Sequence, residues 1–299
     1  MAGRAFLKSI RCLTSHLSEG PISDGSRSNA LCSPIGKQRA PTRCSRYFFG
    51  RAAECNRMEI SLINLDRQPH RLASFYKANA NLGQVTRIAA VDGAHYSRRV
   101  LIERNIFAEP MPGYTAGAIG CALSHLSLWE SAFNRAKVTT VAEDDAVFHS
   151  DFQSLAPAVL EGLPSGWDLV LWGWNFDSIL LFDMLPGILT CLSQFDQQQL
   201  RASLAAYRTS QVAPRAYRLR RAFGTVCYSI SPAGAGRLHK HCLPIRPMET
   251  FYPGLNGTLP NEGIDRMMNA AYPEMQAYVC FPPLVVTEND HATSTTVGN

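Results

Sequence analysis

The sequence has no long apolar run. Its longest, Ile179 to Leu192, is interrupted by Asp183 and Pro186, and a stretch that short does not cross a bilayer. The first 30 residues lack the apolar core of a secretory signal. These absences predict a soluble, cytoplasmic protein whose contact with a membrane is at most peripheral. There is also no GxSxG elbow, no Walker loop and no GxGxxG after a strand, which argues against lipases, nucleoside triphosphatases and nicotinamide enzymes. The histidines, His239 and His241 included, form no metal-ligand spacing such as HExxH. The nine cysteines are odd in number and contain no CxxC pair. Spacing therefore suggests neither a zinc site nor a disulfide framework, and they read as small buried side chains in a reducing compartment.

Charge is scarce where it would matter for nucleic acid. The formal net charge is +5, but residues 1–57 carry +7 and the remaining 242 residues carry −2. The body is nearly neutral, so no nucleic-acid partner is expected, although a local basic site for a diphosphate is compatible with it. Residues 1–57 are Ser-, Arg- and Cys-rich and read as a disordered or non-native leader. The globular pattern starts abruptly at Met58, the expected domain runs over 58–290, and the polar residues 291–299 read as a flexible tail.

From Met58 onward, strand-like and helix-like stretches alternate, which predicts an α/β protein with a mostly parallel, Rossmann-like sheet flanked by helices. Strands are expected over 60–65, 86–91, 138–142, 168–172, 224–230 and 277–286, the last interrupted by Pro282-Pro283. Helices are expected over 71–81, 116–135, 232–241 and 261–271, the last capped by Asn261. Ile119, Leu123, Leu126, Trp129 and Phe133 make one apolar stripe on the second of these. Residues 177–215 lack clear periodicity and read as an insertion with one helix near 197–207.

Three constellations carry chemistry. Glu143-Asp144-Asp145 follows a buried strand, and ligands of open α/β sheets bind beyond the carboxyl ends of the strands. Oxygen donors there suit Mg²⁺ or Mn²⁺; the alternative is an acidic surface turn or helix start. Asn64, Asp66 and Arg67 stand past the first strand, with Arg71 one helical turn further, a face fit for phosphate; the alternative is a helix start capped by Asp66. His125, with Ser124, Gly117 and Gly120, lies beside the apolar stripe, where a lone histidine is commonly a packing residue.

In order and spacing, the run Ile60 to Arg67 with Arg71, then Ala90-Val91-Asp92-Gly93, then Gly117 to Trp129, then Glu143-Asp144-Asp145 resembles glycosyltransferase family 25. That family holds lipopolysaccharide and lipooligosaccharide sugar transferases and the related procollagen galactosyltransferases. The resemblance is strongest over 58–148, looser through Gly224 to Leu238 and the Asp265 region, and missing from 1–57 and 177–215. It implies a GT-A-like fold and inverting transfer from a UDP-sugar, commonly UDP-galactose, to a glycan hydroxyl of the cell envelope, an acceptor that is lipid-linked in such pathways. It implies that Glu143, Asp144 and Asp145 stand where the family has its acidic metal motif, without a literal D-x-D. Asn64, Asp66, Arg67, Arg71, Asp92 and Gly93 would line the nucleotide end, and His125 would support or touch the donor. Asp265 is the expected base for the acceptor hydroxyl, with Glu262 as the alternative, and Asp145 is expected to share in catalysis. Two other functions compete: a metal-dependent phosphoesterase or nucleotide hydrolase, and an inactive homologue that only binds nucleotide or glycan.

Overall fold

The computed structural model describes residues 57–289, so the expected leader, apart from its last residue, and the expected tail lie outside the described residues. In chain order the strands are β1 (Ile60–Asn64), β2 (Val85–Ala89), β3 (Thr139–Glu143), β4 (Ala146–Phe148), β5 (Leu169–Gly173), β6 (Ile179–Leu185) and β7 (Leu189–Gln194). They continue as β8 (Arg215–Ala222), β9 (Cys227–Ile230), β10 (Glu249–Tyr252), β11 (Gly257–Pro260), β12 (Ala277–Phe281) and β13 (Val285–Thr287). The α-helices are α1 (Pro69–Ala78), α2 (Arg98–Glu103), α3 (Ala116–Arg135), α4 (Phe152–Glu161), α5 (Gln197–Ala202), α6 (Leu204–Arg208), α7 (Pro232–Cys242) and α8 (Ile264–Ala271).

Nine strands form one sheet in the order β2-β1-β3-β9-β5-β12-β8-β6-β7. β1 pairs in parallel with β2 and β3, and β5 with β12. β9 runs antiparallel between β3 and β5, and β8, β6 and β7 extend the sheet by antiparallel pairings. Six strands thus point one way and three the other, an α/β sheet of the expected Rossmann-like kind. Two small pairs, β10 with β11 and β4 with β13, stand outside it.

Alternation along β9 separates the two layers. Cys227 joins an apolar cluster with Trp172, Phe75, Phe148 and Phe152, whose rings meet edge to face: Phe148 and Phe152 centroids are 4.8 Å apart, and Phe152 and Trp172 5.7 Å. That layer holds α1 and α4. Tyr228, on the opposite face, accepts the indole N–H of Trp129 from α3 at 2.8 Å. α3 starts where the sequence predicts, because the Thr115 side chain accepts the Ala118 N–H. Its stripe is buried except for Phe133, which is exposed at 54% and lies over Gly236 of α7.

α3 also meets a loop backbone to backbone. A Cβ at Gly120 would lie 2.4 Å from the Val91 carbonyl oxygen, and one at Gly93 would lie 2.0 Å from that of Ala116. Ser124 joins the two elements: its hydroxyl accepts the Val91 N–H and donates to the Gly120 carbonyl.

Three expectations change. Residues 177–215 are not a loose insertion: the apolar run folds as the β6–β7 hairpin, with Pro186 and Gly187 (φ +74°) at its turn. The stretch 277–286 divides at its prolines into β12 in the main sheet and β13 beside β4. Asn261 does not cap a helix; it is buried, accepts from the Tyr114 hydroxyl and donates to the Arg246 carbonyl, while α8 starts after Gly263. Among the described residues no helix is long and apolar enough to cross a membrane.

The Gly120–Val91 approach leaves no room for a methyl group. Gly120→Ala should lower stability by about 1–3 kcal/mol, read as a drop in the midpoint of thermal or urea unfolding. An unchanged midpoint would show that the contact is not tight.

Candidate active site

The carboxyl ends of β3 and β5 and the amino end of β9 open on one cleft of about 950 Å³. Glu143, Asp144, Asp145, Thr225, Asp265 and Arg71 are among its lining residues. The consecutive carboxylates meet three different environments. Asp144 accepts the Arg71 Nε at 2.7 Å and its Nη2, and the Asn64 Nδ2 at 2.7 Å. Both partners of the ion pair are largely buried, at 17% and 10% exposure. Asp144 therefore has its charge and lone pairs met by protein groups, which sets it apart from the other two as a candidate metal ligand.

Glu143 ends β3 and accepts the Thr225 hydroxyl; His125 Nε2 lies 3.4 Å from its Oε1. Burial pushes its pKa up, but His125, Thr225 and the charge of Arg71 outweigh this and hold it below the usual value. Asp145 has no such set. Its Oδ1 is buried without a hydrogen-bond partner among the described residues. Burial and the charge of Glu143 push its pKa to about 7, against the opposing influence of Arg71, 3.9 Å away.

Asp265 enters the same cleft from the first turn of α8, far along the chain from the acidic run. It accepts the Gly224 N–H at 3.0 Å and the Arg266 N–H at 2.9 Å. Burial raises its pKa more than these hydrogen bonds lower it, and Glu143 is near enough to add to the rise. Glu262, the alternative base, also lines the cleft but is exposed, with Arg266 3.3 Å away.

A smaller pocket of about 70 Å³ adjoins the cleft and shares Arg71, Cys121, Glu143 and Asp144 with it. Asn64, Arg67, Asp92, Gly93 and His125 line it. Arg67 is ion-paired with Asp92 at 2.8 Å. The Asp92 side chain accepts from the Ala94 N–H, starting a short 3-10 turn. Gly93 is buried under α3, where the close approach described above demands glycine. His125 is fully buried, with Nδ1 2.8 Å from the Tyr228 hydroxyl. Asp66 lines neither space: it is 72% exposed and paired with Arg87. It is not the cap of α1 either, whose first residue is Pro69.

Sequence reasoning missed Thr225, Gly224 and Cys121 as cleft residues. One signal was available for the first two. Gly224 has φ +83°, and a Cβ there would meet Asn175 Oδ1 at 2.2 Å, so a glycine beginning a strand marked a bend at the ligand end of the sheet.

A family model described as glycosyltransferase family 25 (LPS biosynthesis protein) matches residues 58–251, and the chain belongs to that family. The inactive glycosyltransferase 25 family member 3 of Homo sapiens is 28% identical over 227 residues, 68% of this chain and 32% of that protein. The probable inactive family member 3 of Bos taurus is 32% identical over 247 residues, 75% of this chain and 34% of the relative. Procollagen galactosyltransferase 2 of Mus musculus is 33% identical over 132 residues, 38% of this chain and 20% of the relative. The chain spans about a third or less of the curated relatives it matches.

Two outcomes follow from the electrostatics. Arg71→Ala leaves Asp144 buried without its cation and should cost about 3 kcal/mol. Adding Asp144→Asn should recover part of the loss in urea melts. For Asp145, the folded pKa of about 7 exceeds the ordinary 3.8. Folding thus holds a proton that the unfolded chain releases, and stability falls as pH rises between those values. With chelator present, Asp145→Asn should melt above wild type at about pH 8 and level with it at about pH 4. Parallel melting curves at all pH values would refute the assignment.

Proposed function

We propose that the chain transfers a sugar, galactose first among the candidates, from a UDP-sugar to a hydroxyl of a glycan, with inversion at the anomeric carbon. Family membership supports the reaction class. The name of the procollagen galactosyltransferase relative supports galactose, and the family description, LPS biosynthesis, supports an envelope glycan as acceptor. The observation that carries the reading is that Asp265 and the pair Glu143 and Asp145 line one cleft although the chain separates them widely.

The residues fit a hard divalent cation, Mn²⁺ or Mg²⁺. Glu143 and Asp145 both line the cleft, and one oxygen of Asp145 is buried without a partner; carboxylate oxygens are the donors such ions take. A cation there would offset charge on the departing diphosphate. Asp144 acts through Arg71 and Asn64, fixing the turn that presents its two neighbours. Asp265 takes the proton from the acceptor hydroxyl as that oxygen attacks the anomeric carbon and the bond to the diphosphate oxygen breaks. Its raised pKa makes the carboxylate a stronger base than an ordinary Asp, and its two backbone hydrogen bonds hold it in place. The small pocket has room for about two waters, so a nucleotide base seated there displaces the lining side chains, of which the exposed Arg67 is the most easily moved.

A second reading, a binder without turnover, is favoured by the relatives that are named inactive. One assay separates them: UDP release from a panel of UDP-sugars, with Mn²⁺ or chelator and with glycan acceptors, for wild type, Asp145→Ala and Asp265→Asn. Transfer predicts metal-dependent release stimulated by an acceptor. Asp265→Asn should lose at least about 100-fold in kcat while UDP binding by calorimetry is retained, and Asp145→Ala should lose metal-dependent binding. UDP binding without turnover of any donor supports the silent binder. Release indifferent to every acceptor indicates hydrolysis.

A further inference from the structure

We propose that Cys121, His125 and Glu143 form a second cation site, selective for a thiophilic divalent ion of the Zn²⁺ class. α3 places Cys121 and His125 four residues apart, on one helical face, and β3 ends with Glu143 opposite them. One ligand atom from each lies within 4.8 Å of the others. A second observation points to a ligand: the His125 ring is fully buried, and its Nε2 faces this space 3.4 Å from Glu143 Oε1 but without hydrogen-bond geometry to any described residue.

The donor set decides the class of ion. A thiolate, an imidazole and a carboxylate are the ligands of Zn²⁺, whereas Mg²⁺ and Mn²⁺ favour oxygen alone. Tetrahedral coordination sets ligand atoms roughly 3.3–3.7 Å apart. The His125–Glu143 separation of 3.4 Å already matches, and the Cys121 ligand atom lies within 4.8 Å of both partners. Cys121, Glu143 and Thr225 also line the cleft, which leaves the fourth position open to water or a ligand oxygen.

The surroundings of His125 can free its Nε2 for a metal. The Trp129 indole N–H can only donate, so the Tyr228 oxygen accepts it. If His125 Nδ1–H donates to the same oxygen, the Nε2 lone pair is free for a metal. In the other tautomer Tyr228 donates to Nδ1, and an N–H points from Nε2 toward Glu143. Metal binding selects the first arrangement, and the Cys121 thiol gives up its proton to solvent as the metal–sulfur bond forms. Under the transferase reading, Glu143 belongs to both cation sites, so filling this one withdraws a carboxylate from the oxygen-only pair. The existence of the site does not depend on that reading.

The test is titration of the chelator-treated full chain with Co²⁺, followed by displacement with Zn²⁺, without any donor. One equivalent of Co²⁺ should give intense visible bands and a near-ultraviolet thiolate-to-cobalt band, both abolished by Zn²⁺. Cys121→Ser, which keeps every other cysteine, should lose the thiolate band, and His125→Gln should weaken Co²⁺ binding more than about 100-fold. Circular dichroism establishes that each variant is folded. Should His125→Gln fail to fold, the conservative Cys121→Ser still decides the matter. A wild type without a thiolate band, or a band that persists in Cys121→Ser, overturns the proposal and leaves His125 as a buried electrostatic neighbour of Glu143. Because the spectrum needs no turnover, that failure leaves the transferase reading standing, and loss of UDP release with an intact cobalt spectrum does the reverse.

Discussion

Three carboxylates in succession at the end of a buried strand cannot all carry charge unless something answers each one. The fold supplies three different answers. Asp144 is matched by Arg71 and Asn64, Glu143 by Thr225 and the neighbouring His125, and Asp145 more weakly by the Thr287 side chain and the distant edge of Arg71. The central pair is the anchor. It ties α1 and β1 to the turn after β3, and it frees the flanking carboxylates to face the cleft. The cost falls on Asp145, whose buried unpartnered oxygen disfavours the ionised form. A site that stores strain of this kind at one residue and relieves it on binding is a common arrangement where charge must be handled.

The neighbouring contacts keep this distribution in register. Gly93 and Gly120 let α3 lie directly on the loop after β2, and Ser124 pins the two together. The same helix presents Cys121 and His125 toward Glu143. The position of the helix along its axis therefore sets the surroundings of a carboxylate from another element. Backbone contact makes a stiffer spacer than side-chain packing, because neither glycine has a side chain that can yield.

Much of this was readable in the sequence where local signals agree. α3 was legible because a continuous apolar stripe marks it, and the Thr115 cap and Arg135 in the last turn agree with the ends that stripe suggests. The acidic run was found because strand-end carboxylates are conspicuous, and Asp265 through the family resemblance. The division of labour among Glu143, Asp144 and Asp145 was not legible: it depends on Arg71 arriving from α1, a long-range meeting that no spacing encodes. Asp66 and Arg67 looked equivalent in sequence, yet Arg87 on β2 draws Asp66 outward and Asp92 draws Arg67 to the small pocket. The β6–β7 hairpin was hidden because a proline in an apolar run reads as a break, while in space it is the turn that lets both halves pair. Cysteine spacing is equally silent about long-range meetings. No CxxC spacing exists, but one helical turn and one strand end bring a thiol, an imidazole and a carboxylate together.

The reversed direction of β9 has a consequence of polarity. A strand that leaves the sheet at the ligand side ends there in carbonyl groups, which would add negative potential to an already acidic floor. β9 enters the sheet at that side instead, so the chain arrives offering hydrogen atoms: the Gly224 amide to Asp265 and the Thr225 hydroxyl to Glu143. One strand turned against its neighbours thus makes the rim of the cleft a donor surface. Acids drawn from distant parts of the chain can crowd together there without a lysine or arginine at each one.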